Sequence, residues 1–541
     1  MAALLAGWGT LPRPAVAQAG AAAQRSAPTL MLTGGKIFTA DSTHPWAEAL
    51  AIRGERIVAV GSTADLERLR GPRTRVVALQ GRLVIPGIND THTHLGYPRS
   101  VGPAVPFRPD GEPALVAGPE PRALLDSLAA LARRAPPSAW LRGEMGLQVR
   151  GDTALRRAAL DRVAPEHPVI LTSLWGHGSM VNTRALRLMG VVDTAPDPAG
   201  GWYEREPRSR RITGLLDGAP EAVAWDAYFS SAPRAMVANL RAVAAEAAAM
   251  GITTLQDMSS ILGARSAARD FAAAALPLRV RVIEWHIPGR DAGWRALQGR
   301  RLAPLTYVSG VKYAVDGTPY EQLALTRREY AGRPGWHGRP YYETSALRGY
   351  VADALRRRRQ PMFHVAGDSS ASLVLGLLQS LAPDSVWRAL RPRFEHAPGV
   401  TAEFAPAVRR LGVVLSQPRA RAAQIRMWHR AGLTVAYGSD ADPGNPFAVL
   451  AEWTTPSDST GAVSREEVVR MFTRNSAYAE FAEREKGTLA PGMLADLAVL
   501  SQDVFTAPAQ ALSATRSVLT VVGGRVVYDA LSPTTPARTG P

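Results

Sequence analysis

The residues that could do chemistry fall in one order along the chain: His92-Thr93-His94, then Lys312, His364, His396 and Asp440. On a strand, His92 and His94 project to the same face, because strand side chains alternate with period two. One such pair is weak evidence for a metal. Two further histidines on other strands can close the shell with neutral imidazole nitrogens, which suit zinc. Asp440, in Gly438-Ser439-Asp440, adds an anionic oxygen ligand that could also take a proton from water on the metal.

Lys312 needs its own argument. The chain has 63 Lys plus Arg, yet its only lysines are Lys36, Lys312 and Lys486. Arginine stays protonated, whereas a buried lysine can lose its proton and react as an amine. An ammonium cannot bind a cation, and nearby positive charge and burial both favour the neutral amine. That amine can take up CO2 to give a carbamate, whose two oxygens can bridge two metals. The residues alone leave a second reading open, in which Lys312 is buried beside a carboxylate such as Asp316.

The elements that must position these groups are strands alternating with helices. Candidate strands are Leu83 to His92, Pro168 to Leu174, Ile252 to Asp257, Leu278 to His286, Ser309 to Val315, Pro361 to Val365, Pro392 to His396, Gly412 to Ser416 and Thr434 to Ser439. Helical patterns such as Arg234 to Met250, Leu347 to Arg358 and Ser464 to Phe472 fall between them. The alternation predicts a parallel sheet, most economically a closed (β/α)8 barrel. His94, Lys312, His364, His396 and Asp440 all lie in, or just past, the C-terminal end of a predicted strand, where barrel active sites are built.

β-rich text at both ends predicts a small β-sandwich made from the two termini, because short strands need sheet partners. Its two parts are expected over 30–86 and 486–535, flanking a barrel over 87–485 with inserted loops over about 97–235. Residues 1–29 read as a signal peptide or tail: the start is Ala-rich, with small-residue sites around Ala15-Val16-Ala17 and Ala17-Gln18-Ala19. Export to the periplasm or medium is therefore expected over retention in the cytoplasm.

Composition narrows the function classes. With no cysteine, thiolate zinc sites, disulfides and cysteine nucleophiles are excluded. No run approaches the ~18 apolar residues of a membrane span. The net charge of +16 is spread along the chain. Its densest run, Arg356 to Arg359, reads as a solvated helix face rather than a nucleic-acid patch. A small-molecule substrate is expected, and a homodimer is a compatible assembly.

Val84-Ile85-Pro86-Gly87-Ile88-Asn89-Asp90-Thr91-His92-Thr93-His94 resembles the PGxxDxHxH signature of the amidohydrolase superfamily. Further motifs are similar to its amidohydrolase 3 branch, which contains the N-substituted formamide deformylases. These are Gly251 to Asp257, Val311-Lys312 through Thr318, His364 to Asp368, Arg393 to Ala397, Ser416-Gln417-Pro418, Gly438-Ser439-Asp440 and Gly487-Thr488-Leu489. The resemblance implies a (β/α)8 barrel with an appended β-sandwich. It also implies two divalent ions, expected to be zinc: His92, His94 and Asp440 would hold one, His364 and His396 the other, and a carbamate on Lys312 would bridge them. His177, in an HxxxxN-like element with Asn182, is a candidate substrate contact, as are Asp316, Gln417 and Arg419. The chain departs from the branch in having Arg419 where a histidine often stands, and no glutamate before Glu221 after Thr213-Gly214.

The expected reaction is hydrolysis of a non-peptide C–N bond in an amide, N-formyl or cyclic amide group, with Asp440 as proton shuttle. A mononuclear deaminase, a binuclear esterase or lactonase, and a non-catalytic binding protein are the alternatives. Trp175, Trp336 and Tyr320 are candidate aromatic walls, and His286 is either pocket or core. Arg393 reads as a surface or strand-end charge, and His44, His167, His337 and His429 as surface residues.

Overall fold

Eight short, buried parallel strands wind around one axis. They are β1 (Ile88–Thr93), β2 (Ile252–Asp257), β3 (Arg279–Trp285), β4 (Thr306–Ala314), β5 (Pro361–Val365), β6 (Arg393–His396), β7 (Val414–Gln417) and β8 (Thr434–Tyr437). The computed structural model describes residues 27–532 except 98, 108–116, 147–153, 174–176, 259, 418–420, 441–442 and 456–461. Each strand pairs with the next in sequence order. Beyond β8 the ring closes on β1: the Asp440 N–H donates to the His92 carbonyl at 2.7 Å, and the Thr91 hydroxyl to the Tyr437 carbonyl at 2.6 Å. Asp90 ties the same seam by accepting from the Ser439 N–H at 2.9 Å. This is a (β/α)8 barrel.

The outer helices follow from sequence periodicity. Pro233–Ala249 has proline in its first turn and buries Met236, Leu240, Val243, Ala244 and Ala247, one face of a 3.6-residue repeat. Gly251, at φ +80°, turns the chain directly into β2. The helix expected over Leu347 to Arg358 spans Thr344–Arg356, and Arg356 and Arg357 both pair with Asp353 on its surface. Arg359, expected to be solvated, instead reaches the fully buried Glu284 at 2.9 Å. The run expected over Ser464 to Phe472 begins as a helix capped by Ser464 and loosens into a π-turn at Met471–Asn475.

Strands from both ends of the chain form one six-stranded sheet: Lys36–Phe38, Trp46–Ala47 and Leu83–Pro86 join Leu497–Leu500, Ser517–Val522 and Arg525–Asp529. A four-stranded sheet containing Leu30–Thr33 and Ala49–Arg53 packs on it, with Leu32, Leu50, Ile52, Val84, Leu497 and Val521 buried between them. The expected strand Leu83 to His92 is in fact two strands. The break falls at Gly87, where a Cβ would meet the Thr253 side chain at 2.2 Å, and the first half belongs to the sandwich.

One expected barrel strand lies elsewhere. Val169–Ser173 sits in a separate five-stranded sheet with Leu141–Met145, Ser179–Val181, Gly201–Arg205 and Ile212–Gly218, inserted after β1. It has its own apolar core around Leu124, Leu128, Leu141 and Leu171, so a fully buried run was ambiguous between the two sheets. No helix among the described residues is long and apolar enough to cross a membrane.

Barrel and sandwich are joined by a buried ion pair. Arg279, opening β3, donates to both oxygens of Asp496 at 2.6 and 3.1 Å, and Asp496 also accepts from the Gly523 N–H at 2.7 Å. Asp496→Ala should leave a guanidinium nearly buried without its partner and cost about 3 kcal/mol of stability. Thermal or denaturant unfolding of the purified variant would show it, and an unchanged midpoint would contradict a role for this pair in holding the two units together.

Candidate metal centre

At the C-terminal mouth of the barrel, five imidazoles form a continuous row. Ring centroids are 5.3 Å apart for His94 and His92, 4.8 Å for His92 and His396, 4.6 Å for His396 and His364, and 4.9 Å for His364 and His177. Asp440 stands across this row. Its Oδ1 is 3.2 Å from His94 Nε2 and 3.5 Å from His92 Nε2, while its Oδ2 is 3.9 Å from His396 Nδ1. Ligand atoms of a tetrahedral zinc with ordinary bond lengths lie about 3.4 Å apart. His92, His94 and Asp440 each offer a ligand atom within 4.8 Å of the others and could hold a metal.

The donor chemistry fits a cation. His92 Nδ1 is bonded to Glu395 Oε2 at 2.8 Å, so its proton resides there and Nε2 presents a lone pair. That Nε2 is buried without a hydrogen-bond partner among the described residues. A carboxylate behind a ligating histidine is the usual means of fixing its tautomer and orientation. Burial, and then the charge of Lys312, lower the pKa of His92 to about 4. Burial likewise lowers those of His94, His177 and His396, keeping their imidazoles neutral. Burial pushes Asp440 up, but the hydrogen bond from His94 and the neighbouring histidines hold it well below the usual carboxylate range.

Glu395 is itself locked. Arg393, expected at the surface, is fully buried and donates to both Glu395 oxygens at 2.8 and 3.2 Å. The same guanidinium binds Gln256 Oε1, the Thr91 carbonyl and Ser416 Oγ, tying β6 to β1, β2 and β7. Strand alternation alone would send Glu395 and His396 to opposite faces. His396 has φ +68°, and this left-handed turn brings both onto the cluster. Asp440 is also left-handed, at φ +52°. Such backbone costs about 1–3 kcal/mol per residue and tends to gather at functional sites.

Lys312 on β4 is buried, and its side-chain amine makes no hydrogen bond or ion pair with any described residue. Burial lowers its pKa to about 8, opposed by the charges of Glu395 and Asp440. Asp316, read as its possible partner and as a substrate contact, is engaged otherwise. Its carboxylate accepts from the Leu325, Ala366 and Gly367 N–H groups at 2.9–3.0 Å and from the Ser370 hydroxyl at 2.7 Å, and lies 3.4 Å from His364 Nδ1. It therefore anchors the loop after β5 and backs His364 instead of facing a ligand.

His177 abuts His364 on a clamped segment. Glu221, fully buried, accepts from the Gly178 N–H at 3.0 Å and the Ser179 hydroxyl at 2.8 Å. Asn182 is not beside it: its amide binds Val169, Ala185 and His167 backbone and caps a helix. Arg419 and Trp175 fall outside the described residues, as does the Gln417 side chain. His286 is buried among Tyr313, Tyr342 and Tyr350. His44, His337 and His429 are exposed, whereas His167 is buried with Nδ1 3.0 Å from the Ala139 carbonyl. The sequence reading missed Glu395, Arg393 and Glu221 as site residues; an Arg-x-Glu-His run, with Arg and Glu on one strand face, was the available signal.

Glu395→Gln should keep the side chain's shape but weaken its hold on His92, lowering metal affinity about 10- to 100-fold. Competition against a chromogenic chelator measures this, and wild-type affinity in the variant would contradict the role given to Glu395.

Comparison with known proteins identifies the family and the fold. The profile of the amidohydrolase family matches residues 75–528. The protein LONG AFTER FAR-RED 3 of Arabidopsis thaliana is 27% identical over 92% of this chain and 91% of its own length. The N-substituted formamide deformylase of Arthrobacter pascens is 24% identical over 92% of this chain and 98% of its own. In fold, an uncharacterized metal-dependent hydrolase from Pyrococcus furiosus superposes with a TM-score of 0.65 at 18% identity, covering 88% of this chain and 100% of that one. The barrel, its mouth of histidines and the family profile lead to one conclusion: this chain belongs to the amidohydrolase family, hydrolases of carbon–nitrogen bonds.

Proposed function

We propose that the protein hydrolyses a non-peptide C–N bond, in an amide, N-formyl or cyclic amide group, using two divalent ions, by preference zinc. His92, His94 and Asp440 are assigned to one ion, His364 and His396 to the other, and Lys312 to a bridge between them. The observation that carries this reading is the placement of Asp440, with one oxygen toward His92 and His94 and the other toward His396. Lys312 supports it, being buried with its amine uncommitted to any carboxylate among the described residues. Its neutral amine would add to CO2 and release a proton, giving an anionic carbamate.

When bound, the ions lower the pKa of a water molecule toward neutrality and polarise the scissile carbonyl. The remaining work falls to the chain. Asp440, kept ionised by its histidine neighbours, accepts the attacking water's proton and returns it to the leaving nitrogen. Glu395 keeps the His92 proton on Nδ1, away from the reacting face. His177, held by the Glu221 clamp on Gly178 and Ser179, stands beside His364 where a substrate carbonyl could accept from it. The resemblance to an N-substituted formamide deformylase makes N-formyl amines the first substrates to try. The signal peptide remains an expectation, and residues 1–26 are outside the described ones.

The compact triad of His92, His94 and Asp440 would by itself suit a mononuclear deaminase, which releases ammonia from an amino-substituted ring. Screening both substrate classes separates them. Chelation should abolish hydrolysis of the responsive amide, with zinc and bicarbonate together restoring it better than zinc alone. Asp440→Asn should lower kcat about 10²- to 10⁴-fold. Activity that survives complete metal removal, or ammonia as the first product from aminated rings with no amide cleaved, would contradict the proposal.

A further inference from the structure

Away from the histidine row, a cavity of about 650 Å³ opens between the inserted sheet and the loop that follows β4. That volume is within the roughly 300–1,000 Å³ of small-molecule sites. Its walls hold three guanidinium groups laid over aromatic rings. Arg339 lies 3.9 Å from the Trp202 centroid, Arg333 lies 4.3 Å from Trp336, and Arg205 lies 5.8 Å from Tyr203. Trp202 is backed in turn by Tyr341, stacked at 5.1 Å.

The Arg205 N–H groups are spent on the Asp193, Arg210 and Ala195 carbonyls, which leaves the guanidinium edges of Arg333 and Arg339 on the cavity wall. Those edges match a carboxylate in two-point geometry, which a lysine could not reproduce. Arg333 and Arg339 form no ion pair with any described residue; Arg333 makes one long contact to Gln322 at 3.4 Å. The acids lining the same cavity are already engaged. Asp197 faces Arg205 at 3.7 Å, Glu204 pairs with Arg156, and the buried Glu321 accepts from the Thr318 N–H at 3.1 Å. The cavity thus presents two guanidinium groups, Arg333 and Arg339, that have no ion-pair partner among the described residues, beside the edges of Trp336 and Trp202, and a flat anion suits that wall.

Both walls are tethered to the metal centre. The loop bearing Tyr320 to Leu323 starts from Asp316, which backs His364. The strand bearing Trp202 pairs with Asp217, and Gly218 leads directly into the helix whose Glu221 clamps the segment beside His177.

We propose that this cavity binds a small molecule carrying a carboxylate next to an aromatic ring, its carboxylate gripped by the Arg333 and Arg339 guanidinium groups and its ring set beside Trp336 and Trp202. That the bound group is the substrate's end remote from the scissile bond rests on the hydrolase reading above; the binding itself does not.

Titration calorimetry with benzoate, benzamide and inorganic phosphate, on metal-loaded and chelator-treated protein, tests it. Benzoate should bind equally in both metal states, with benzamide at least about tenfold weaker. Arg339→Gln and Arg333→Gln should each weaken benzoate by about tenfold or more without shifting the unfolding midpoint, both side chains being exposed. Benzoate affinity that vanishes with the metal, survives both substitutions, or is matched by phosphate would overturn the proposal. An N-acylated aminobenzoate should then show a raised KM and unchanged kcat in Arg339→Gln. Benzoate binding by a protein that cleaves no amide would still uphold the cavity and count only against the hydrolase reading.

Discussion

Glu395 is the carboxylate on which the barrel mouth depends. It sits at zero exposure between the Arg393 guanidinium and the Nδ1 of His92, and so decides which lone pair His92 presents. A buried carboxylate without Arg393 would be costly, and a buried arginine without Glu395 equally so. Together they form a closed unit whose remaining donors fasten β1, β2, β6 and β7 to one another. The orientation of a candidate ligand and the alignment of four strands are thus set by the same few atoms.

The strained backbone fits this arrangement. His396, at the end of β6, and Asp440, just past β8, each take a left-handed conformation that a branched or bulky residue avoids. What holds Asp440 there is its N–H bond to the His92 carbonyl, the bond that closes the ring. Barrel closure and the convergence of Asp440 on the histidines are one event. A similar economy applies at β5, where Asp316 both anchors the Ala366 and Gly367 backbone and backs His364. The polar groups that could bind metal are therefore placed by rigid strand ends, while the inserted sheet and the loop after β4 shape what approaches them.

Much of this was legible in the sequence, for a physical reason. Parallel strands covered on both faces must be apolar, so a lone His, Lys or Asp at a strand's end stands out against its neighbours, as His94, Lys312, His364, His396 and Asp440 do. The same rule misled at Val169–Ser173, since an apolar run in the inserted sheet looks like one in the barrel. Arg393 was misread because arginine is seldom fully buried, and its partner two residues on was not weighed. Glu221 could not be found locally: its role is to hold Gly178 and Ser179, some forty residues earlier in the chain. Gly87 was also opaque, as only the contact with Thr253 reveals why that position admits no side chain.

The most direct measurement is the number of ions and of carbamates per chain, on protein purified without added metal or chelator and equilibrated with ¹³C-bicarbonate. A binuclear centre bridged through Lys312 predicts about two divalent ions per chain, together with a ¹³C carbamate resonance that is lost in Lys312→Arg. One ion per chain with no such resonance would contradict the bridged centre and leave Lys312 an ordinary buried amine.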